Sequence, residues 1–428
     1  MRPSTLVLFG SLAMCASAVR ADDRIRLSLR EAEQRALDNH PQIRAGQYLA
    51  QAAGEDVRLA RSVYWPTFFG SVTGVAAADG SRITAGGLNN PIILDRAATG
   101  VALSQLITDF GRTGDVVQSQ TLRAEASQED AVTRRAEVLL QVDAAYFGAL
   151  RAQAVLTVAQ QTVEARRLVV DQVSALASSG LRSSLDLSFA RVNLSQAQLL
   201  LTQAQSDLQS AFAGLTAAIG SARPATYQLS EEPMPAPPSD DGPSFVAQAL
   251  RDRPDVAARR LAEQAAAKFA DAERSLWWPS IAVGGAAGIT PYHGVSLNDH
   301  YAAIGINMTI PIANGSQYSA RQGAAAFRDM AERQALVDLE NRVTRDVTIA
   351  WLDVKTAYQR VDLTSQLLAQ AADSLELAQA RYNLGLSSIV ELTQAQLNKT
   401  QAEIDQASAR YDYQTRQTAL RFQTGALQ

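Results

Sequence analysis

Side chains able to do covalent or metal chemistry are scarce in this 428-residue chain. The only histidines are His40, His293 and His300, and the only cysteine is Cys15. His293, Asp299 and His300 stand close together and carry donor atoms that could hold a metal ion. They belong, however, to the turn-rich stretch "TPYHGVSLNDH", where a solvated loop is the simpler reading. With no cysteine nucleophile beyond the N-terminus and no other ligand cluster, no catalysis, metal or cofactor is expected.

Two carboxylates have a more regular setting. Asp186 follows the turn "SSGLRSSLDL", Glu391 follows "NLGLSSIVEL", and the two places are equivalent. Taken singly, each is an acid at a helix N-terminus, where it complements the dipole. Gathered about a symmetry axis, each becomes a ring of like charge that attracts cations and repels anions. Gly180 and Gly385, just before them, suit the left-handed position that ends a helix.

That equivalence is one part of a chain-long repeat. "ALDNHPQIRA" at Ala36 matches "ALRDRPDVAA" at Ala249, and the same register sets Tyr64, Trp65 and Pro66 on Trp277, Trp278 and Pro279. The halves span 22–220 and 244–428, with a Pro-, Asp- and Ser-rich linker at 221–243.

Within each half the period changes in the same order. Leu29 to Ser62 and Ser244 to Leu276 read as helix. Each then meets an aromatic pair and a proline, and the period becomes two. Ile281, Val283, Gly285, Ala287 and Ile289 alternate with smaller residues, as do Ala302, Ile304, Ile306, Met308 and Ile310. Hairpins are therefore expected at about 66–107 and 279–311, apolar on one face and small or polar on the other. Such strands fit a transmembrane barrel. Tyr64, Trp65, Trp277, Trp278 and Tyr301 are expected at the headgroup level.

After each hairpin comes a helical stretch too long for a compact domain. Arg112 to Ser178 and Ser316 to Leu384 contain no proline. At 1.5 Å per residue each would reach about 100 Å, which requires coiled-coil support. Val347, Val354, Val361, Leu368, Leu375 and Tyr382 recur every seventh residue, with Val343, Ala350, Ala357, Thr364, Ala371 and Ala378 between them. Leu187 to Leu215 and Ala190 to Ala218 repeat that pattern after the first turn. The last helix keeps the spacing weakly, through Val390, Leu397, Ile404 and Tyr411.

Four strands cannot close a barrel, and an open sheet edge in lipid leaves backbone groups unpaired. Several chains must share one barrel: two would give eight strands with a filled interior, three would give twelve with room for a channel. Pro66, Pro279 and Pro311 mark the places where helical wall and barrel join.

The motifs "SLREAEQRALDNHPQIRA", "YWP" and "WWP", "DFGR" and "RYNLGLSSIVELTQAQ", in this duplicated order, resemble those of the TolC-like outer membrane efflux proteins, the outer membrane factors. The resemblance covers essentially the whole mature chain. It implies a mainly α fold with a small β part, trimerising into a 12-stranded β-barrel in the outer membrane of a Gram-negative bacterium, continued by a periplasmic α-helical barrel. It further implies docking on a periplasmic adaptor (membrane fusion) protein and an inner-membrane pump or ABC transporter of a type I secretion system, with no cofactor. Gly180, Leu181, Gly385 and Leu386 match the tips that touch the adaptor. Asp186, Glu391 and Tyr382 fall on the periplasmic entrance. Tyr382 and Asp186 match two members of a Tyr-Asp-Arg network that closes it, but Ser387 takes the place of the arginine, and Gln394 stands where a second acid is expected.

Residues 1–21 read as a signal peptide, and Met14 before Cys15 argues against a lipoprotein box. The net charge of −4, with arginines scattered singly, excludes a nucleic-acid partner. A periplasmic structural coiled coil or adhesin would explain the heptads but not the two alternating hairpins. The transported substrate is not encoded in these motifs.

Overall fold

The computed structural model describes residues 25–78, 80–81, 93–223, 225–294 and 298–427. The N-terminal segment with Cys15 and the loop "TAGGLNNP" lie outside the described residues.

A short strand, β1 (Ile25–Leu27), opens the chain. The first half then runs α1 (Leu29–Asn39), α2 (Pro41–Arg61), β2 (Thr67–Val75), β3 (Arg96–Thr108), α3 (Arg112–Ser178) and α4 (Ser184–Ala218). After β4 (Tyr227–Leu229), which pairs in parallel with β1, the second half repeats the order. It runs α5 (Gly242–Asp252), α6 (Pro254–Arg274), β5 (Ser280–His293), β6 (His300–Thr309), α7 (Gln317–Asn383) and α8 (Ile389–Gln423). Helices of 11, 21, 67 and 35 residues occur once in each half.

The opening helical region of each half, expected to be continuous, is two helices. The break comes at His40–Pro41 and Arg253–Pro254, where the residue before proline is extended, with ψ 125° and 126°. Proline disfavours helical geometry in its predecessor yet suits the first position of the next helix.

The long helices pair as α3 with α4 and α7 with α8. Their seam follows the heptads: Val343, Val347, Val354, Ala357, Ala371 and Ala378 are buried, as are Ala190, Ala197 and Ala204. Alanine at every other seam position lets the helix axes approach closely. In α8 the seam differs from the expected stripe. Leu392, Ala395, Ala402 and Ala409 are buried, whereas Val390 and Leu397 are exposed. The alanines continue the close-packed seam there, and of the expected stripe Tyr411 is buried as well.

The largest apolar cluster joins Leu27 of β1, Ala36 of α1, Val142 and Tyr146 of α3, Leu215 of α4 and Tyr227 of β4. The Tyr146 hydroxyl donates to the carbonyls of Leu27 and Ser230 at 3.0 and 2.7 Å, tying the β1–β4 ribbon to α3. Residues 232–239 are held along the second half by Tyr413, Gln414 and Trp351, which donate to the carbonyls of Ala236, Glu232 and Ser239.

The other four strands form one antiparallel sheet in the order β2-β3-β5-β6. Ile281 faces Met308, Val283 faces Ile306 and Gly285 faces Ile304, so the apolar residues share a face. Tyr301 departs from its expected place among the outward aromatics. It pairs with Gly288 on the face of small and polar residues, and its ring covers Gly100 and Gly288. Strand parity sets this, since odd-numbered β6 residues lie opposite Ile304 and Ile306.

Candidate functional site

The hairpin tips and the helix-to-strand corners are each built twice from the same local parts. At the first tip α3 ends on Ser179, Gly180 takes φ 75°, and the amides of Leu181 and Gly180 donate to the carbonyls of Leu176 and Ala177. At the second, Gly385 also has φ 75°, and the amides of Leu386 and Gly385 donate to Arg381 and Tyr382. Both are Schellman endings, which need a left-handed residue at that point.

The following helices begin alike. The side chain of Ser183 accepts from the amide of Asp186 and that of Ser388 from Glu391, at 3.2 and 3.4 Å. The two carboxylates thus stand at matching places in the first turn, as the sequence repeat requires. Leu181 and Leu386 are 72% and 67% exposed, so neither covers its own helix end.

Between the tips lies a small apolar cluster of Val173, Ala190, Tyr382, Ile389 and Leu392. Tyr382 is only 4% exposed. The Arg182 guanidinium lies 4.3 Å from the centre of its ring and donates to its backbone carbonyl at 2.6 Å. Burial pushes the Tyr382 phenol above its usual range; the Arg182 charge opposes that and nearby Asp186 adds to it. Farther along the hairpins, Asn193 donates to Thr393 at 2.9 Å. Glu391 meets Arg381 at 3.4 Å in a half-exposed ion pair, and Gln394 donates to Asn398 on its own helix.

Asp186 lies near enough to Tyr382 to act on its phenol. The arginine beside Tyr382 is Arg182 and not residue 387. In the duplicated register Ser387 corresponds to Arg182, so the guanidinium reaches Tyr382 from the other half. Sequence reasoning missed Arg182, although it stands inside the quoted tip motif, because the motif gives no sign of which residues cross between hairpins.

The corners are equally regular. Ser62–Tyr64 and Ser275–Trp277 each form one 3₁₀ turn, and Trp65 and Trp278 are extended before Pro66 and Pro279. Chain direction thus changes over three residues, from helix into β2 and β5. Tyr64, Trp65, Trp277 and Trp278 are all exposed. Trp278 stacks on Phe110 and Trp277 sits edge-on to Tyr318, joining the second corner to the bases of both long helices. Pro311 lies in the return connection from β6 to α7.

The His293 imidazole pairs with Asp299 at 2.8 Å, and among the described residues no three His, Cys, Asp or Glu side chains converge as a metal site. No helix of the described residues is long and apolar enough to cross a membrane.

A four-stranded sheet, open at both edges among the described residues and entered at aromatic corners, that runs on from β3 and β6 into paired 67- and 35-residue helices defines the class of channel-forming outer membrane proteins. The chain belongs to the outer membrane efflux protein family, which it matches over residues 32–221 and 245–426. It is 22% identical to the outer membrane protein TolC of Escherichia coli over 94% of this chain and 82% of that one. It is 27% identical to the protein CyaE of Bordetella pertussis, over 89% and 79%. The crystal structure of a membrane protein from Pseudomonas aeruginosa superposes with a TM-score of 0.81, at 22% identity, covering 93% of both chains. The protein is thus an efflux or secretion channel of the outer membrane, of the TolC family.

Proposed function

We propose that three copies of this chain assemble into the exit duct of a tripartite efflux pump or type I secretion system. The observation that carries this reading is the pair of free edges. Among the described residues β2 and β6 each have only one neighbour in the sheet, and no other strand lies along their outer edges. In lipid each unpaired backbone group costs several kcal/mol, so β6 of one copy pairs with β2 of the next. Three sheets of four strands make a twelve-stranded barrel wide enough for a water-filled channel.

The helices then prolong this wall into the periplasm, with the tips at its far end. Exposed Leu181 and Leu386, each beside a glycine, offer two similar apolar footholds per chain. They suit a periplasmic adaptor, which in turn engages an inner-membrane pump or ABC transporter. Tyr382, Arg182 and Asp186 hold the entrance closed by strapping the tips together, and a ring of Asp186 and Glu391 favours cations at the opening. Adaptor contacts that favour the parted tips shift the population towards the open state.

Purified protein in a planar lipid bilayer tests the reading. Discrete conductance steps, larger after Arg182→Ala, support it. Protein that binds no bilayer, or inserts without conducting, overturns it.

A further inference from the structure

Toward the tip ends of the hairpins, α3, α7 and α8 line a cavity of about 90 Å³ whose charges do not balance. Its deepest cation is Arg166, 4% exposed, on the buried face of α3. Among the described residues no carboxylate pairs with its guanidinium, and the only influence on its ionisation is burial, which lowers it to about 10. Lys399 of α8 also lines the cavity, but its ammonium is bonded to Glu403 at 2.6 Å. Leu375 of α7 closes the third side.

The chemistry of this arrangement is one-sided. Two cations and one carboxylate leave a net charge of +1 around a buried guanidinium, with Lys399 and Glu403 partly exposed beside it. The Thr162 hydroxyl donates to Val158 on its own helix, and it carries no charge to balance the guanidinium. An isolated buried charge is among the costliest features a fold can carry, and it persists where a counter-charge is held against it. Arginine presents five N–H donors and binds an anion through more than one of them. The cavity is also roomy enough, since a water occupies about 30 Å³.

We propose that this cavity is a binding site for a small monovalent anion, chloride being the form available in solution, held by Arg166 with Lys399 at its rim. Bound there, the anion neutralises the seam between the first-half helix α3 and the second-half helix α8 and fixes the two hairpins to each other.

The test uses the detergent-solubilised oligomer. Its heat-dissociation midpoint is measured in chloride, bromide and gluconate at constant ionic strength, for the wild type and for Arg166→Gln. The wild-type midpoint should rise by several degrees and saturate with chloride or bromide, and the variant should not respond. Bromide-soaked crystals of the wild type should show an anomalous peak beside the guanidinium, a readout that holds even if the variant fails to assemble. Equal halide responses in both proteins, no bromide peak, or an acidic side chain of a neighbouring copy seated against Arg166 would each overturn the site. None of these outcomes bears on whether the protein conducts.

Discussion

The guanidinium of Arg182, in the turn between α3 and α4, stacks on the ring of Tyr382 near the end of α7 and donates to that residue's carbonyl. The two residues ride on different hairpins, so the contact straps one half of the duplicated chain to the other. A partly desolvated cation–π contact is worth about 0.5–2 kcal/mol, and a hydrogen bond from a charged donor about 1.5–3 kcal/mol.

Losing both should part the tips. Arg182→Ala is expected to raise the open fraction of the purified channel roughly tenfold in single-channel recordings, the equivalent of about 1.4 kcal/mol. Arg182→Lys should recover part of the closed state, because it keeps the charge and loses the planar stack. Unchanged recordings would remove Arg182 from the strap.

Gly385 tests the tip as a foothold. A Cβ at this position meets nothing within 4 Å, so the penalty of substitution is conformational, set by φ 75°. Gly385→Ala should therefore cost about 1–2 kcal/mol of local stability. Gly385→Phe should in addition abolish export while oligomer and membrane insertion survive. Full export by the Phe variant would mean that no partner sits there.

An asymmetry is expected at the base of the helices. Glu273 of α6, 2% exposed, takes two hydrogen bonds from Arg321 of α7 at 2.6 and 2.7 Å, while Arg112 is 3.8 Å away. Arg321→Ala strands the buried carboxylate and should cost about 3–5 kcal/mol. Glu273→Ala leaves two partly exposed arginines, Arg321 and Arg112, and should cost markedly less. Chemical denaturation of both variants checks the order, and equal losses would contradict it.

Asp143, fully buried on α3, should make stability fall with rising pH. Burial, then the charge of Glu33 on α1, push its carboxyl up to about 8, against the pull of Arg421 and Thr418 on α8. In the unfolded chain it ionises near pH 4. The stability it contributes is fully present below about pH 4 and is lost progressively as pH rises to about 8. Asp143→Asn should flatten that slope in thermal melts taken from pH 5 to pH 8. Parallel profiles would mean that Asp143 does not titrate in this window.

Much of this architecture is legible in the sequence because its signals are periodic or duplicated. The bounds of α3 and both tip glycines follow from the absence of proline and from the matched turns. Other features depend on side-chain geometry that a linear pattern does not carry. The α8 seam is set by alanines at 395, 402 and 409, small residues that draw less notice than Val390 or Leu397. Tyr301 resembles the corner aromatics in type, whereas strand parity puts it on the face opposite Ile304 and Ile306. Arg182 reaches Tyr382 across 200 residues, a pairing that no local motif announces.

The free edges of β2 and β6 give the most direct test of the account. Single cysteines are placed on the outer side of each edge in one Cys15-free chain, the set covering neighbouring registers, and the outer membrane fraction is oxidised. The account predicts that one register yields covalent dimers and trimers and that the ladder stops at three chains. A ladder that stops at two, runs beyond three, or fails to form in any register would contradict closure of the barrel by three copies.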